Sequence, residues 1–318
     1  MDFLTAAVGL VVLLFAGDAL VRGAVNLSLR LGVPALIVSL TIVAFGTSAP
    51  EFLISISAIH EGVPGLALGN IVGSNTANVL LVMGIPALIT TLHVVDNSTR
   101  ASYLQMIAAT ALFTALAFIG PFGQVSGLIL LAALGFMLVH AARAARSHRA
   151  NAADAAVCAM DEEDVEGADP HMGWPKIIAF LVAGLIGLPI GAELLVNAAT
   201  HIAQSFGVSD TVIGLTLVAL GTSLPELATT VMAALRRQAD VAFGNVIGSN
   251  MFNLLGIIGV ASLVGPIPVA PEIMRFDIWV MIASSLLLGV FVLRRKSITL
   301  IWGLTLTALY VLYIVMVF

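Results

Sequence analysis

The sequence has little charge. Of its 318 residues only 10% are Asp, Glu, Lys or Arg, whereas a soluble globular domain carries about 25%. It has a single cysteine, Cys158, which excludes an internal disulfide, so the fold must be stabilised by packing. The nucleophile–base pattern, paired aspartates or HExxH zinc motif that an intramembrane hydrolase needs are not visible. These absences argue against a soluble protein and against a membrane-embedded enzyme.

Hydrophobic residues are abundant instead. They make up 60% of the chain, and the mean hydropathy is +1.09. They form runs of about 20 residues, the length a helix needs to cross a bilayer, without the alternation of a β-barrel. The first run has no basic n-region, so we interpret it as a membrane helix and not as a cleaved signal. We predict an all-α membrane protein with ten transmembrane helices, near 3–21, 33–59, 66–90, 101–119, 125–145, 175–198, 209–235, 241–264, 276–293 and 299–317.

The basic residues predict how these helices are oriented. If the N-terminus is outside, 12 of the 13 Lys and Arg residues fall on the cytoplasmic side, and only Arg275 falls outside. Both termini would then be external, and the polar segment 146–174 would be a cytoplasmic linker. A regulatory cation-binding loop is the alternative for this segment, but it lacks the Asx-rich spacing of a calcium loop. We expect a multi-pass protein of the cell (inner) membrane with no nucleic-acid partner; the sequence leaves the oligomeric state open.

The sequence matches itself when it is shifted by 175 residues. GTSAPE at 46–51 aligns with GTSLPE at 221–226, and GNIVGSNTANVL at 69–80 aligns with GNVIGSNMFNLL at 244–255. Five predicted spans separate each residue from its copy, so the two copies cross the membrane in opposite directions. We therefore predict two inverted-topology repeats of five helices, residues 1–145 and 175–318. Secondary transporters are typically built this way, with the substrate site near the midplane.

Each copy places a proline directly before an acid in the middle of a span. Because Pro50 and Pro225 have no N–H, we expect the carbonyl four residues earlier to lose its helical partner. Glu51 and Glu226 follow these prolines, and an acid at the bilayer centre costs at least ~2.5 kcal/mol. A kink that only shapes packing would explain the prolines but not the acids.

Hydroxyl and amide groups share the helical faces of these acids. Residues three and four positions before each Glu lie on its face, and a polar stripe at i, i+4 and i+8 follows on the next helix. Together they predict an all-oxygen cage, which hard cations such as Ca²⁺ prefer, whereas transition metals prefer imidazole or thiolate. Two carboxylates balance one Ca²⁺ or two Na⁺; a purely structural polar cluster is the alternative. The polar residues are Thr47, Ser48, Asn70, Ser74 and Asn78, with copies at Thr222, Ser223, Asn245, Ser249 and Asn253.

Other repeated residues carry weaker predictions. Asp18 and its copy Glu193 lie near predicted helix ends, where they either guard an ion path or sit as acids at the membrane interface. Pairs of glycines at GxxxG spacing indicate close helix contact; these are Gly69 with Gly73 and Gly244 with Gly248.

At the GTSxPE and GNxxGSN pairs the sequence resembles the cation/Ca²⁺ exchanger superfamily and, within it, the prokaryotic sodium/calcium exchangers. The resemblance implies an antiporter without a cofactor that exchanges Na⁺ for Ca²⁺ by alternating access and extrudes Ca²⁺ electrogenically. It implies that the carboxylates of Glu51 and Glu226 bind Ca²⁺ together with backbone oxygens of Thr47 and Thr222. It also implies sodium ligands and flanking amides at the Ala44 carbonyl, Ser48, Ser74, the Ala219 carbonyl, Ser223, Ser249, Asn78 and Asn253.

One position differs from part of that superfamily. The potassium-dependent branch carries Asp where this chain has Asn253, so the resemblance implies exchange without K⁺. A proton/calcium exchanger of the same superfamily is the nearest alternative function. A cation channel is a further one, although a channel does not predict acids at the midplane in inverted copies.

Overall fold

The structure is a computed structural model that describes residues 1–94, 97–155, 168–169, 171–207 and 219–317. Regular structure within these ranges is helical, apart from two isolated β-bridges. The helices are α1 Asp2–Leu31, α2 Ala35–Thr47, α3 Ala49–His60, α4 Pro64–Ile89, α5 Asn97–Ile119, α6 Gln124–Ala155, α7 Trp174–Ser205, α8 Ala219–Gly221, α9 Leu224–Leu235, α10 Ala239–Val264, α11 Ile273–Arg294 and α12 Leu300–Val317.

Most of the helices are membrane-spanning in length and composition. Within the described part of the chain, 8 helices are long and apolar enough to cross a bilayer, and α2 with α3 makes a ninth span that is bent by 42°. The prediction of an all-α, multi-pass membrane protein is confirmed. The tenth span stays a prediction, because only α8 and α9 of the predicted span 209–235 lie within the described residues.

Three helices extend further than predicted. Helix α1 continues to Leu31 and α7 to Ser205, so Asp18 and Glu193 lie well inside these helices and not near their ends. The hydropathy of α1 falls after Asp18, but its polar continuation is packed inside the protein, where Asn26 is buried. Helix α6 runs into the predicted linker as far as Ala155, and most of that linker lies outside the described residues.

Helices α1 and α7 pack against each other in opposite directions through glycines. A Cβ atom on Gly9 would lie 2.7 Å from the backbone nitrogen of Leu195, and one on Gly184 would lie 2.8 Å from that of Leu20. The 175-residue shift converts the first of these contacts into the second. The close packing of α1 on α7 therefore has the symmetry that the repeat predicts.

Two backbone bridges join loops at the ends of the bundle. Leu92, between α4 and α5, exchanges backbone hydrogen bonds of 3.0 and 2.9 Å with Ile298, between α11 and α12. Phe122, between α5 and α6, exchanges bonds of 2.9 and 2.8 Å with Ile267, between α10 and α11. Each bridge joins loops that the predicted topology places on the same side of the membrane.

Helices α4 and α10 form the centre of the bundle. Their apolar windows are 83% and 78% buried, whereas that of the outer helix α12 is 22% buried. Gly244 and Gly248 let α10 approach α2, because a Cβ on either would lie 2.7 or 2.5 Å from the carbonyl oxygen of Leu36 or Leu40. For Gly244 and Gly248 the GxxxG prediction is confirmed. A Cβ on Gly69 or Gly73 would meet nothing within 4 Å in the described residues, and the segment 211–215, the copy of 36–40, lies outside them, so for this pair close contact stays a prediction.

Candidate cation-binding site

Both acids lie in the first turn of a helix that follows a break. Ser48 separates α2 from α3 with φ −81° and ψ 7°, and Ser223 precedes α9 with φ −86° and ψ 1°. Proline fits the first turn of a helix, where its missing N–H breaks no hydrogen bond. The breaks therefore place Glu51 and Glu226 at helix N-termini, where backbone N–H groups and the helix dipole favour negative charge.

The first break leaves no free carbonyl at Gly46, contrary to the expectation from Pro50. A backbone N–H at the end of α2 donates to the Gly46 carbonyl. The Ala44 carbonyl accepts the Ser48 N–H at 3.1 Å and the Thr47 hydroxyl at 3.3 Å. Local rearrangement of the chain after Thr47 supplies the missing partner, so the Gly46 carbonyl is not a free acceptor.

Glu51 and Glu226 are brought together in the interior. Their exposed fractions are 1% and 0%, and Ser48, the residue that precedes the helix of Glu51, reaches the carboxylate of Glu226. A hydroxyl of the first repeat contacts the acid of the second, since Ser48 donates to Glu226 Oε1 at 3.2 Å. Ser249 adds a longer bond to Glu226 Oε1 at 3.5 Å.

The threonines beside the acids make matching contacts across the repeats. The Thr47 hydroxyl donates to Asn245 Oδ1 at 3.2 Å, and the Thr222 hydroxyl donates to Asn70 Oδ1 at 3.5 Å. The 175-residue shift exchanges these two hydrogen bonds. Asn245 also donates to the Glu226 carbonyl at 3.2 Å, which ties α10 to the helix that carries the acid.

Two further asparagines join α4 to α10, and neither belongs to the polar stripe predicted from helical spacing. Asn75 donates to the Asn250 carbonyl at 3.2 Å, and Asn250 donates to the Asn75 carbonyl at 3.4 Å. Asn250 Oδ1 accepts a hydrogen bond from the Asn78 amide, and Asn75 Oδ1 accepts one from the Asn253 amide, both at 3.0 Å. Asn75 and Asn250 belong to the repeated GSN, so identity between the copies is the signal that could have found them.

These hydrogen bonds leave a set of oxygens unpaired. Six buried side-chain oxygens at this site have no hydrogen-bond partner in the described residues, namely Glu51 Oε2, Glu226 Oε2, Ser74 Oγ, Ser223 Oγ, Asn78 Oδ1 and Asn253 Oδ1. Leaving a buried polar atom unpaired costs about 1–3 kcal/mol, and native proteins keep few such atoms. Carboxylate and neutral oxygens in flexible geometry are the ligands of Ca²⁺ and other hard cations. The residues present therefore fit a bound cation.

The helices widen at the two central asparagines. A π-helical turn covers Asn78–Val82 in α4, and another covers Phe252–Ile257 in α10. Such turns occur frequently at functional sites within α-helices. They coincide here with Asn78 and Asn253, the residues whose amide oxygens remain unpaired.

The weaker sequence candidates do not reach this site. Asp18 forms ion pairs with Arg22 and Arg236, and Glu193 is exposed beside a cavity. For Ala219 the structure describes only the backbone of the short helix α8.

A buried set of oxygen ligands between the helices of a multi-pass membrane protein is the kind of site that a cation transporter needs. The chain belongs to the sodium/calcium exchanger protein family, which it matches over residues 1–143 and 176–318. The resemblance seen in the sequence is thereby confirmed, and the family is one of transporters and not of enzymes.

Individual relatives and solved structures agree with the family over nearly the whole chain. The chain is 35% identical to the sodium/calcium exchanger MaX1 of Methanosarcina acetivorans, covering 100% of this chain and 99% of that protein. It is 30% identical to the inner membrane protein YrbG of Escherichia coli (strain K12), covering 91% and 88%. It also resembles the sodium-calcium exchanger NCX_Mj soaked with 2.5 mM Na⁺ and 1 mM Sr²⁺, with a TM-score of 0.83, 31% identity and coverage of 99% and 97%.

Proposed function

We propose that this protein is a Na⁺/Ca²⁺ antiporter that works by alternating access and extrudes Ca²⁺ electrogenically. Its ten spans would form two inverted repeats, residues 1–145 and 175–318, joined by the linker 146–174. The observation that carries the proposal is the set of six unpaired buried oxygens around Glu51 and Glu226. The family match and the similarity to MaX1 support the choice of ions.

The two acids would bind Ca²⁺ together with backbone oxygens of Thr47 and Thr222. Sodium would bind the serine hydroxyls and neighbouring carbonyls, and the unpaired oxygens of Ser74 and Ser223 support this part of the proposal. The Ala44 carbonyl already accepts two hydrogen bonds, so it becomes a sodium ligand only when the Thr47 hydroxyl turns away. The remaining proposed ligands and flanking amides are Ser48, Ser249, the Ala219 carbonyl, Asn78 and Asn253.

Charge balance explains why such a site exchanges ions and does not leak. With both glutamates ionised and no cation bound, the site would carry about two negative charges through hydrocarbon, at a cost of at least several kcal/mol. One Ca²⁺ or two Na⁺ would neutralise the two carboxylates. Electrogenic extrusion requires more than two Na⁺ for each Ca²⁺, so the Na⁺-loaded site would then carry net positive charge. Only the loaded site would then change its access from one side to the other, by rocking or sliding of one helix group about a fixed centre.

The distribution of basic residues supports external termini and a cytoplasmic linker. With that orientation, 12 of the 13 Lys and Arg residues are cytoplasmic. The similarity to YrbG, named as an inner membrane protein, supports the same membrane for this chain.

Uptake of radiolabelled Ca²⁺ into reconstituted vesicles tests the proposal. Outward gradients of Na⁺, K⁺ and H⁺ are imposed in turn, and we expect only the Na⁺ gradient to drive uptake. Uptake driven by a pH gradient in the absence of sodium would identify a proton/calcium exchanger instead. Single-channel currents in planar bilayers would identify a channel.

A further inference from the structure

The repeat relates two faces that flank the proposed transport site, and only one of them is closed. On the first face α1 contacts α9, since a Cβ on Gly17 would lie 3.0 Å from the Ala228 carbonyl oxygen. The copies of these two residues are Ala192 in α7 and Leu53 in α3. Ala192 and Leu53 line a cavity of about 380 Å³ instead of packing as closely as Gly17 and Ala228 do. The same cavity is lined by Thr222 and by Pro50, which directly precedes Glu51 in the chain.

An ion cluster lies on the closed face. Asp18 in α1 lies 2.9 Å from Arg22 through Oδ2, and its Oδ1 accepts a hydrogen bond from Arg236, directly after α9. The side chains of Asp18 and Arg236 are only 16% and 15% exposed. Partial burial makes such a charge-assisted bond stronger than an ion pair on an open surface. The cluster therefore fastens α1 to the end of α9.

The opposite face has no such cluster. The copies of Asp18, Arg22 and Arg236 are Glu193, Asn197 and Glu61. Glu193 and Asn197 line the cavity, and all three side chains are exposed. One acid and two cations on the closed face thus correspond to two acids and an amide on the open face. An ion pair cannot form among those three side chains if that face closes.

We propose that Asp18, Arg22 and Arg236 form an ionic latch that holds the transport site closed on their side of the membrane. Because α1 and α7 pack closely through glycines, separation of α1 from α9 is coupled to approach of α7 toward α3. The latch must therefore break whenever the site opens on the Arg236 side. It stabilises the conformation in which the Glu193 side is open. This inference rests on the proposed alternating-access function.

Thiol accessibility tests the latch without depending on transport. Two matched single-cysteine chains are made in a Cys158→Ser background, with Ala228→Cys on the closed face and its copy Leu53→Cys in the cavity. After reconstitution each is treated with a small water-soluble thiol reagent. We expect fast labelling at position 53 and protection at position 228. Adding Asp18→Asn should raise the labelling rate at position 228 by about fivefold and lower the rate at position 53.

Matched variants separate the latch from general damage. Asp2→Asn also changes an acid of α1 to an amide, but its contact with His201 is exposed, and we expect no change in labelling. Arg236→Gln should reproduce Asp18→Asn, and Arg236→Lys should retain most of the protection. Equal labelling of position 228 with and without the intact cluster, measured on chains that elute as one folded species, would overturn the latch. Loss of Na⁺-driven uptake in every chain, with the labelling pattern intact, would instead count against the proposed function.

Discussion

At the centre of the molecule the two repeats share contacts that the 175-residue shift exchanges, whereas at its flanks the charged residues of the two repeats differ in their contacts and exposure. Glu51 and Glu226 are equally buried, and the hydrogen bonds between Asn75 and Asn250 are exchanged by the 175-residue shift. At the flanks, Asp18 is paired with arginines while its copy Glu193 is exposed. Under the proposed mechanism a single central site serves both sides of the membrane, so its ligands stay alike in both copies. The flanks face different compartments and are free to diverge.

Neutralising one of the two central glutamates should have the largest effect on transport. Glu51→Gln and Glu226→Gln should each lower Ca²⁺ uptake into Na⁺-loaded vesicles at least about 100-fold, because one buried carboxylate cannot balance a divalent cation. The two losses should be similar, since the two acids have equivalent positions. Glu272→Gln, which changes an exposed acid in the same chemical way, serves as the control and should transport normally. Near-normal uptake by either central variant would refute the assignment.

Adding a third carboxylate to the site tests the proposed balance between the two glutamates and the bound cation charge. Asn253→Asp should slow Na⁺-driven uptake about tenfold or more, because a site loaded with Ca²⁺ would keep one negative charge in hydrocarbon. Asn78→Asp is the matched change in the other repeat and should have a comparable effect. Uptake is measured with and without K⁺, which could neutralise the added charge. Unchanged uptake in both variants without K⁺ would contradict the proposed charge balance.

A glycine substitution compares the packed centre with the outer helices. Gly248→Ala should lower the free energy of unfolding by about 1–3 kcal/mol, because the new Cβ would lie 2.5 Å from the Leu40 carbonyl oxygen. Gly135→Ala in α6 is the control, since a Cβ there meets nothing within 4 Å. In thermal unfolding in detergent, the midpoint of Gly248→Ala should be lower than that of the unaltered protein, and the midpoint of Gly135→Ala should be unchanged. Equal midpoints would contradict the close contact of α10 with α2.

Much of the fold follows from hydropathy and from the repeat. The spans near 66–90, 241–264 and 299–317 were predicted to within a few residues of α4, α10 and α12. The end of α1 differs from the prediction because polar residues after Asp18, such as Asn26 and Ser28, pack against protein, which a hydropathy window cannot distinguish from exposure to water. The local signal for the end of α1 is Gly32, which caps the helix in the left-handed conformation with φ 66°.

The part of the candidate site that follows from helical spacing was predictable from the sequence, and the part that depends on helix packing was not. The residues that repeat at helical spacing with the glutamates do lie together, as the bond from Ser48 to Glu226 illustrates. Asn75 and Asn250 were missed because they do not share that helical face, and only the approach of α4 to α10 places them at the centre. The sequence shows Arg22 four residues after Asp18, but it could not predict the second partner, Arg236, which lies 218 residues away in the chain.

Equilibrium binding of radiolabelled Ca²⁺ to the purified protein tests whether the two buried glutamates form one cation site, because binding does not depend on conformational cycling. We expect one Ca²⁺ site per chain that Na⁺ displaces and that is lost in both Glu51→Gln and Glu226→Gln. Binding of Ca²⁺ to either variant with the affinity of the unaltered protein would contradict this expectation.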